Sequence, residues 1–136
     1  MANWTFADIP PQTGRCAVVP GTRGLGYGTA LALARAGAEI ILAGRDPAKG
    51  AAAAATIRAA IPGAHVQFEE LDLASLASVA AFSARLRRQR SRLDLLINNA
   101  GVMRPPKRLE TAEGFELQFG TNYLGHFVLT AHLLPL

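Results

Sequence analysis

Arg15-Cys16-Ala17-Val18-Val19-Pro20-Gly21-Thr22-Arg23-Gly24-Leu25-Gly26 is the stretch whose reading decides the fold. Cys16 to Val19 is a short apolar run, Pro20 to Gly26 is rich in breakers, and Tyr27, Ala30, Leu31 and Ala34 then fall at helical spacing. The order is strand, glycine-rich turn, helix. A turn of this kind lets the backbone approach a pyrophosphate closely, and the N–H groups and positive dipole end of the following helix stabilise its charge. Glycine also serves ordinary tight turns, so the flanking elements must supply the context.

Working outward, Gly37 stands where the first helix would end, and Ala38 to Ala43 is a second, nearly continuous apolar run. Such runs fit a parallel sheet covered on both faces. Asp46-Pro47 starts a helix, with Asp as N-cap and Pro at the first helical position, and Pro62-Gly63 ends it. Val66 and Phe68, approaching Leu71-Asp72-Leu73, predict a third strand, and Leu76, Val79, Ala80 and Leu86 an amphipathic helix. Leu93 to Ile97 predicts a fourth strand that ends in Asn98-Asn99-Ala100-Gly101. A loop around Pro105-Pro106, a short helix at Phe115 and Phe119, and a helix from Asn122 to Leu134 follow. Strands alternating with helices imply an α/β fold with a parallel sheet and right-handed crossovers, in the order 3-2-1-4. Residues 1–13, with Trp4, Phe6 and Ile9, are expected to form an arm lying on the domain through its aromatics, and residues 14–136 a partial doubly wound domain.

The 136 residues, half of them hydrophobic, suffice for one domain with a sizeable core. The net charge of +4 comes largely from Arg85, Arg87, Arg88, Arg90 and Arg92. These sit at a predicted helix end, where cations complement the dipole, and no aromatic interleaves with them for base stacking. No nucleic-acid partner is expected. Cys16 is the only cysteine, so neither an intrachain disulfide nor a cysteine-based metal site can form, and a cytoplasmic setting is expected. His126 and His132 are six residues apart, not on one helix face, and no metal site is expected. Met1 to Pro11 has no basic start followed by an apolar core, and Ala30 to Ala43 is interrupted by Arg35 and Glu39, so neither a signal peptide nor a membrane span is expected.

Five motifs in order resemble the short-chain dehydrogenase/reductase family, in the branch similar to retinol dehydrogenases and protochlorophyllide reductases. They are Gly14 to Gly26, Ala43-Gly44-Arg45-Asp46, Leu71-Asp72-Leu73, Asn98-Asn99-Ala100-Gly101 and Thr121-Asn122-Tyr123-Leu124-Gly125-His126-Phe127. The resemblance implies a Rossmann-type domain that binds a nicotinamide dinucleotide and serves hydride transfer to or from a carbonyl or alcohol carbon. It implies cofactor contacts from Gly21, Arg23, Gly24, Leu25 and Gly26 in the glycine turn, and from Arg45, Asp72, Leu73, Asn99, Ala100 and Gly101 at the strand ends. Asp72 would meet the adenine amino group, although its carboxylate is also placed to act as a helix N-cap. Asn122 matches the catalytic Asn that holds a water in the family's proton relay. Arg45 lies 21 positions beyond Gly24, where such folds place an acid for the ribose hydroxyls or an Arg for a 2′-phosphate. Gly44 holds the place of the acid, and Arg45, helped by Arg23, would attract the phosphate, so NADP(H) is expected over NAD(H).

Two departures from the pattern stand out. The family's Ser and its Tyr-x-x-x-Lys pair are absent: Tyr27 and Tyr123 are followed four residues later by Leu31 and Phe127. Residues 1–136 are therefore expected to be the cofactor-binding part of an oxidoreductase cut before its catalytic Tyr, inactive alone because nothing exchanges a proton with the carbonyl oxygen. A non-catalytic nucleotide- or partner-binding protein is the alternative. The second departure is in the turn, where only Thr22 and Arg23 separate Gly21 from Gly24 and Pro20 replaces the usual Thr. Losing a residue displaces the chain by up to ~3.8 Å, more than a phosphate hydrogen bond tolerates, and is expected to weaken cofactor affinity. The exposed fourth strand and a final helix carrying Phe127, Val128, Leu133 and Leu134 are expected to favour a homo-oligomer.

Overall fold

The computed structural model describes residues 3–136; Met1 and Ala2, the start of the expected arm, lie outside the described residues. Four parallel strands, β1 (Cys16–Pro20), β2 (Glu39–Gly44), β3 (Val66–Glu70) and β4 (Leu95–Leu96), form one sheet in the order β3-β2-β1-β4. The alternation of side chains along each strand divides the core in two. Ala17, Val19, Ile40 and Leu42 pack on Ala30 and Ala34 of α1 (Gly24–Arg35) and Ala53, Ala54 and Ile57 of α2 (Pro47–Ala60). On the opposite face, Val18, Ile41 and Ala43 pack on Val79, Phe82 and Leu86 of α3 (Leu76–Gln89) and Leu129 and Leu133 of α5 (His126–Leu133). Both faces are covered, which is why β1 and β2 read as unbroken apolar runs.

The helix ends follow the sequence reading in part. Asp46 caps α2, its Oδ1 accepting from the Lys49 N–H at 3.0 Å, with Pro47 at the first helical position. Asp72 does not cap α3; Ser75 does, its Oγ accepting from the Ser78 N–H, while Asp72 Oδ1 closes a turn onto the Ala74 N–H at 2.9 Å. The predicted fourth strand contracts to two residues, although Asp94 and Ile97 extend its pairing by donating to the carbonyls of Cys16 and Val18. Its neighbour in the sheet is β1, which it meets at Ala17 and Val18. The final helix starts earlier than predicted. α4 (Leu117–Phe119), capped by the Glu116 carboxylate, runs without a break through a π-helical stretch (Gly120–Gly125) into α5.

Two expectations about apolar surface need correction. Trp4 and Phe6 are 69% and 67% exposed, so the arm is not fastened through its aromatics; its anchor is Gln12, whose N–H donates to the Ala36 carbonyl at 2.7 Å. In the final helix Leu133 is buried and Val128 packs on the core, leaving Phe127 and Leu134 exposed. Phe119, Tyr123 and Phe127 stack in series along that helix at centroid separations of 5.4 and 6.4 Å.

Three of the five arginines in the run are engaged within the fold, while Arg87 and Arg88 are exposed. Arg85 reaches Glu69 and the Glu70 carbonyl, Arg90 forms a fork on Glu39, and Arg92 pairs with Asp94. Among the described residues no helix is long and apolar enough to cross a membrane, and no group of three or more potential metal ligands occurs.

Candidate dinucleotide site at the carboxyl ends of the strands

In a doubly wound sheet, ligands bind beyond the carboxyl ends of the strands, where connections to opposite faces diverge. Here a cleft occupies that position. Each strand sends the segment after it into the wall: Pro20-Gly21-Thr22 from β1, Ala43-Gly44-Arg45 from β2, Leu71-Asp72-Leu73 from β3 and Ala100-Gly101-Val102 from β4, with Thr121 of the π-helical stretch.

The glycine turn is held by close packing. Gly21 has φ 140° and donates its N–H to the Ala43 carbonyl, so the turn stays hydrogen-bonded to β2 as the chain leaves β1. A Cβ on Gly26 would lie 2.7 Å from Asn99 Nδ2 and 3.1 Å from the Cα of Gly21, so the first turn of α1 reaches the strand end only because both positions are glycine. Asn99 Nδ2 in turn donates to the Pro20 carbonyl at 3.3 Å, tying the end of β4 to the end of β1. Pro20 is tolerated in a central strand because it is the last residue, where the ladder is opening.

α1 differs from its neighbours at the N-terminus. α2 and α3 carry side-chain caps, whereas Arg23 at the N-cap of α1 makes no side-chain hydrogen bond to the helix. The first N–H groups of α1 are left for another acceptor. Arg45 is exposed on the cleft wall, and neither Arg45 nor Arg23 forms an ion pair among the described residues. Asp46, next to Arg45, is already committed to the Lys49 backbone and ammonium, which hold its carboxyl below the usual range.

Of the residues expected at the site, Gly21, Arg45, Asp72, Leu73, Ala100 and Gly101 line the cleft. Asn99 and Gly26 lie behind the turn and support it. Arg23, Gly24 and Leu25 are not on the cleft wall, and Leu25 is 84% exposed. Asn122 is also outside the cleft. Its amide makes a two-way contact with Val102, Oδ1 accepting from the N–H and Nδ2 donating to the carbonyl, both at 2.8 Å. The wall also holds Pro20, Thr22, Ala43, Gly44, Leu71, Val102 and Thr121, which the sequence reading did not name as contacts; Val102 lies just past a quoted motif, and the others lie within the motifs without a side chain that marks them.

Fold and cleft together define a Rossmann-type α/β protein with a glycine turn at the switch point of the sheet. Comparison with known sequences narrows this: a family described as short chain dehydrogenase matches residues 15–136, and the chain belongs to that family. It is 52% identical over 129 residues to retinol dehydrogenase 13 of Homo sapiens, covering 94% of this chain but 38% of that protein. An uncharacterised protein from Mycobacterium paratuberculosis superposes with a TM-score of 0.86 at 46% identity, covering 98% of this chain and 47% of the other. A metagenomic short-chain oxidoreductase solved in complex with NADP superposes at 0.80 with 30% identity, over 92% of this chain and 57% of the other. The chain thus spans less than half the length of the retinol dehydrogenase it matches. The family is one of oxidoreductases that bind nicotinamide dinucleotides.

Proposed function

We propose that residues 1–136 form the NADP(H)-binding portion of a short-chain oxidoreductase. The observation that carries this reading is the convergence of all four strand ends on one cleft with a glycine turn and an uncapped helix behind it. The residues fit the cofactor. Gly21 and Gly26 let the turn and the start of α1 pack closely, so that the uncapped N–H groups of the helix are offered to a pyrophosphate, Asp72 offers its second carboxylate oxygen to an adenine amino group, and Ala100 and Gly101 give a wall for a ribose. Arg45, free of ion pairs among the described residues, supplies a cation for a 2′-phosphate.

Bound nicotinamide supplies a hydride for a carbonyl or accepts one from an alcohol. The contribution of this chain is to bind and orient. Asn122 holds Val102 at the mouth of the cleft, and no tyrosine here is followed by lysine four residues later to exchange the proton. Residues 1–136 alone are expected to bind NADPH without turnover. Titration of the chain with NADPH and NADH, followed by nicotinamide fluorescence, tests this: tighter binding of NADPH supports the reading, and equal affinities refute the phosphate preference. NADPH oxidation above a no-protein blank across a panel of aldehydes and ketones would refute the expected inactivity.

A further inference from the structure

On the helix that carries Asn122, the polar side chains Asn122, His126 and Thr130 each fall four residues from the last. All three meet the segment that leaves β4. Asn122 holds the backbone of Val102, His126 donates from Nε2 to the Ala100 carbonyl at 2.6 Å with Nδ1 3.1 Å from the Asn98 amide, and Thr130 Oγ1 accepts from Asn98 Nδ2 at 3.1 Å. Helix positions 122, 126 and 130 thus meet segment positions 102, 100 and 98, in antiparallel sense.

The match has a geometric basis. From His126 to Thr130, four residues of α-helix advance about 6 Å along the axis, and two residues of extended chain advance about 6.6 Å. The two periods are close enough for side chains from one helix face to reach every second residue of the segment. We propose that His126 is the positioning residue of this ladder. It fixes the height of Asn98–Gly101 against the helix and thereby places Ala100, Gly101 and Val102, one wall of the cleft.

His126 suits that role better than its neighbours. It is 8% exposed, it is the only one of the three that contacts two residues of the segment, and its ring has no rotatable atom between its two nitrogens. The Ala100 carbonyl can only accept, so Nε2 carries a proton, while Nδ1 faces the Asn98 amide oxygen. Thr130 completes the lowest rung, donating its own hydroxyl to the His126 carbonyl at 2.8 Å while it accepts from Asn98. Gly125 lets the helix come this close to the sheet, since a Cβ there would lie 2.4 Å from the Leu73 carbonyl oxygen.

Two substitutions separate the two contacts of the ring. His126→Gln places an amide NH₂ near the position of Nε2 and keeps the Ala100 rung, whereas His126→Asn reaches only as far as Nδ1 and loses it. The readouts are amide hydrogen exchange at Val102 and NADPH affinity, and the second rests on the proposed dinucleotide reading. His126→Asn is expected to expose the Val102 N–H to faster exchange and to weaken NADPH binding about tenfold, with His126→Gln restoring both. Equal behaviour of the two variants would overturn the proposal. If the unsubstituted chain binds no NADPH, the dinucleotide reading fails by itself and exchange at Val102 decides the ladder: faster in His126→Asn than in His126→Gln supports it, and no difference overturns it.

Discussion

The two ends of the sheet are built on opposite rules. At the amino ends of the strands the polar groups are answered from within the chain: Arg90 forks onto Glu39, Asp94 takes both Arg92 and the Cys16 N–H, Arg58 donates to the Val66 carbonyl, and Arg15 reaches Gln12. At the carboxyl ends the chain has glycines where a Cβ would clash, an uncapped helix, and Arg23 and Arg45 without ion pairs among the described residues. One end is closed by its own charges and the other is left open. Stability and binding should therefore respond separately to substitutions at the two ends.

The largest effect is expected at the glycine turn. A methyl group in Gly26→Ala would displace Asn99 from the Pro20 carbonyl and press on the backbone of Gly21. Overpacking of this kind costs about 1–3 kcal/mol, partly offset by the better helix propensity of Ala, which is worth up to ~1 kcal/mol. NADPH affinity should fall by more than about tenfold, since each ~1.4 kcal/mol of lost interaction is a factor of ten. Retained affinity in a calorimetric titration would show that the turn does not need its close approach.

Arg45→Ala comes next and acts on selectivity alone. NADPH affinity should drop about tenfold, as expected for one charge-assisted contact, while NADH affinity and thermal midpoint stay unchanged. A parallel loss for both nucleotides would place Arg45 away from the 2′-phosphate. At the other end, Glu39→Gln leaves the half-buried Arg90 guanidinium without its carboxylate. A loss of about 1–2 kcal/mol is expected, below the cost of breaking a fully buried pair. Denaturant titration should show it, with NADPH affinity unaltered. A change in affinity from this distance would mean that the two ends are coupled.

Much of this architecture was legible in the sequence because it rests on local rules. The continuous apolar runs of β1 and β2 announced a covered parallel sheet, and Asp46-Pro47 announced a helix start. The glycine turn and the strand-end motifs brought Gly21, Arg45, Asp72, Leu73, Ala100 and Gly101 to one cleft. What escaped depends on partners distant in sequence. Ser75 rather than Asp72 caps α3 because Asp72 is drawn into a turn on Ala74, and either residue fits a capping pattern. The arginine run read as a solvated helix end, yet Arg90 reaches across 51 positions to Glu39. The arm aromatics read as anchors, whereas the backbone of Gln12 does the anchoring. The spacing of Asn122, His126 and Thr130 was visible, but only the path of residues 98–102 gives it a meaning.

The smallest expected effect concerns acid, and it belongs to the closed end. Asp94 is held below the ordinary carboxylate value, first by the Cys16 N–H and then by Arg92, against an opposing cost of burial. A carboxyl whose folded-state value lies below its unfolded one binds fewer protons when folded. Its contribution to stability is therefore present in full above the unfolded value near pH 3.9 and is lost as pH falls through the lower, folded value. Asp94→Asn removes this ionisable group, so the fall in stability below about pH 4 should be shallower than in the unsubstituted chain. Cys16 keeps an acceptor in the Asn amide oxygen, so the fold should persist. The acid limb of a thermal-midpoint profile measures the difference, and identical limbs for the two proteins would show that the proton uptake driving acid unfolding lies elsewhere. Glu116 is the next candidate, since its carboxyl is lowered by the N–H groups of Gln118 and Phe119 that it caps. Because Asp94 sits at the amino ends of the strands, NADPH affinity at neutral pH should be the same with Asp or Asn at this position.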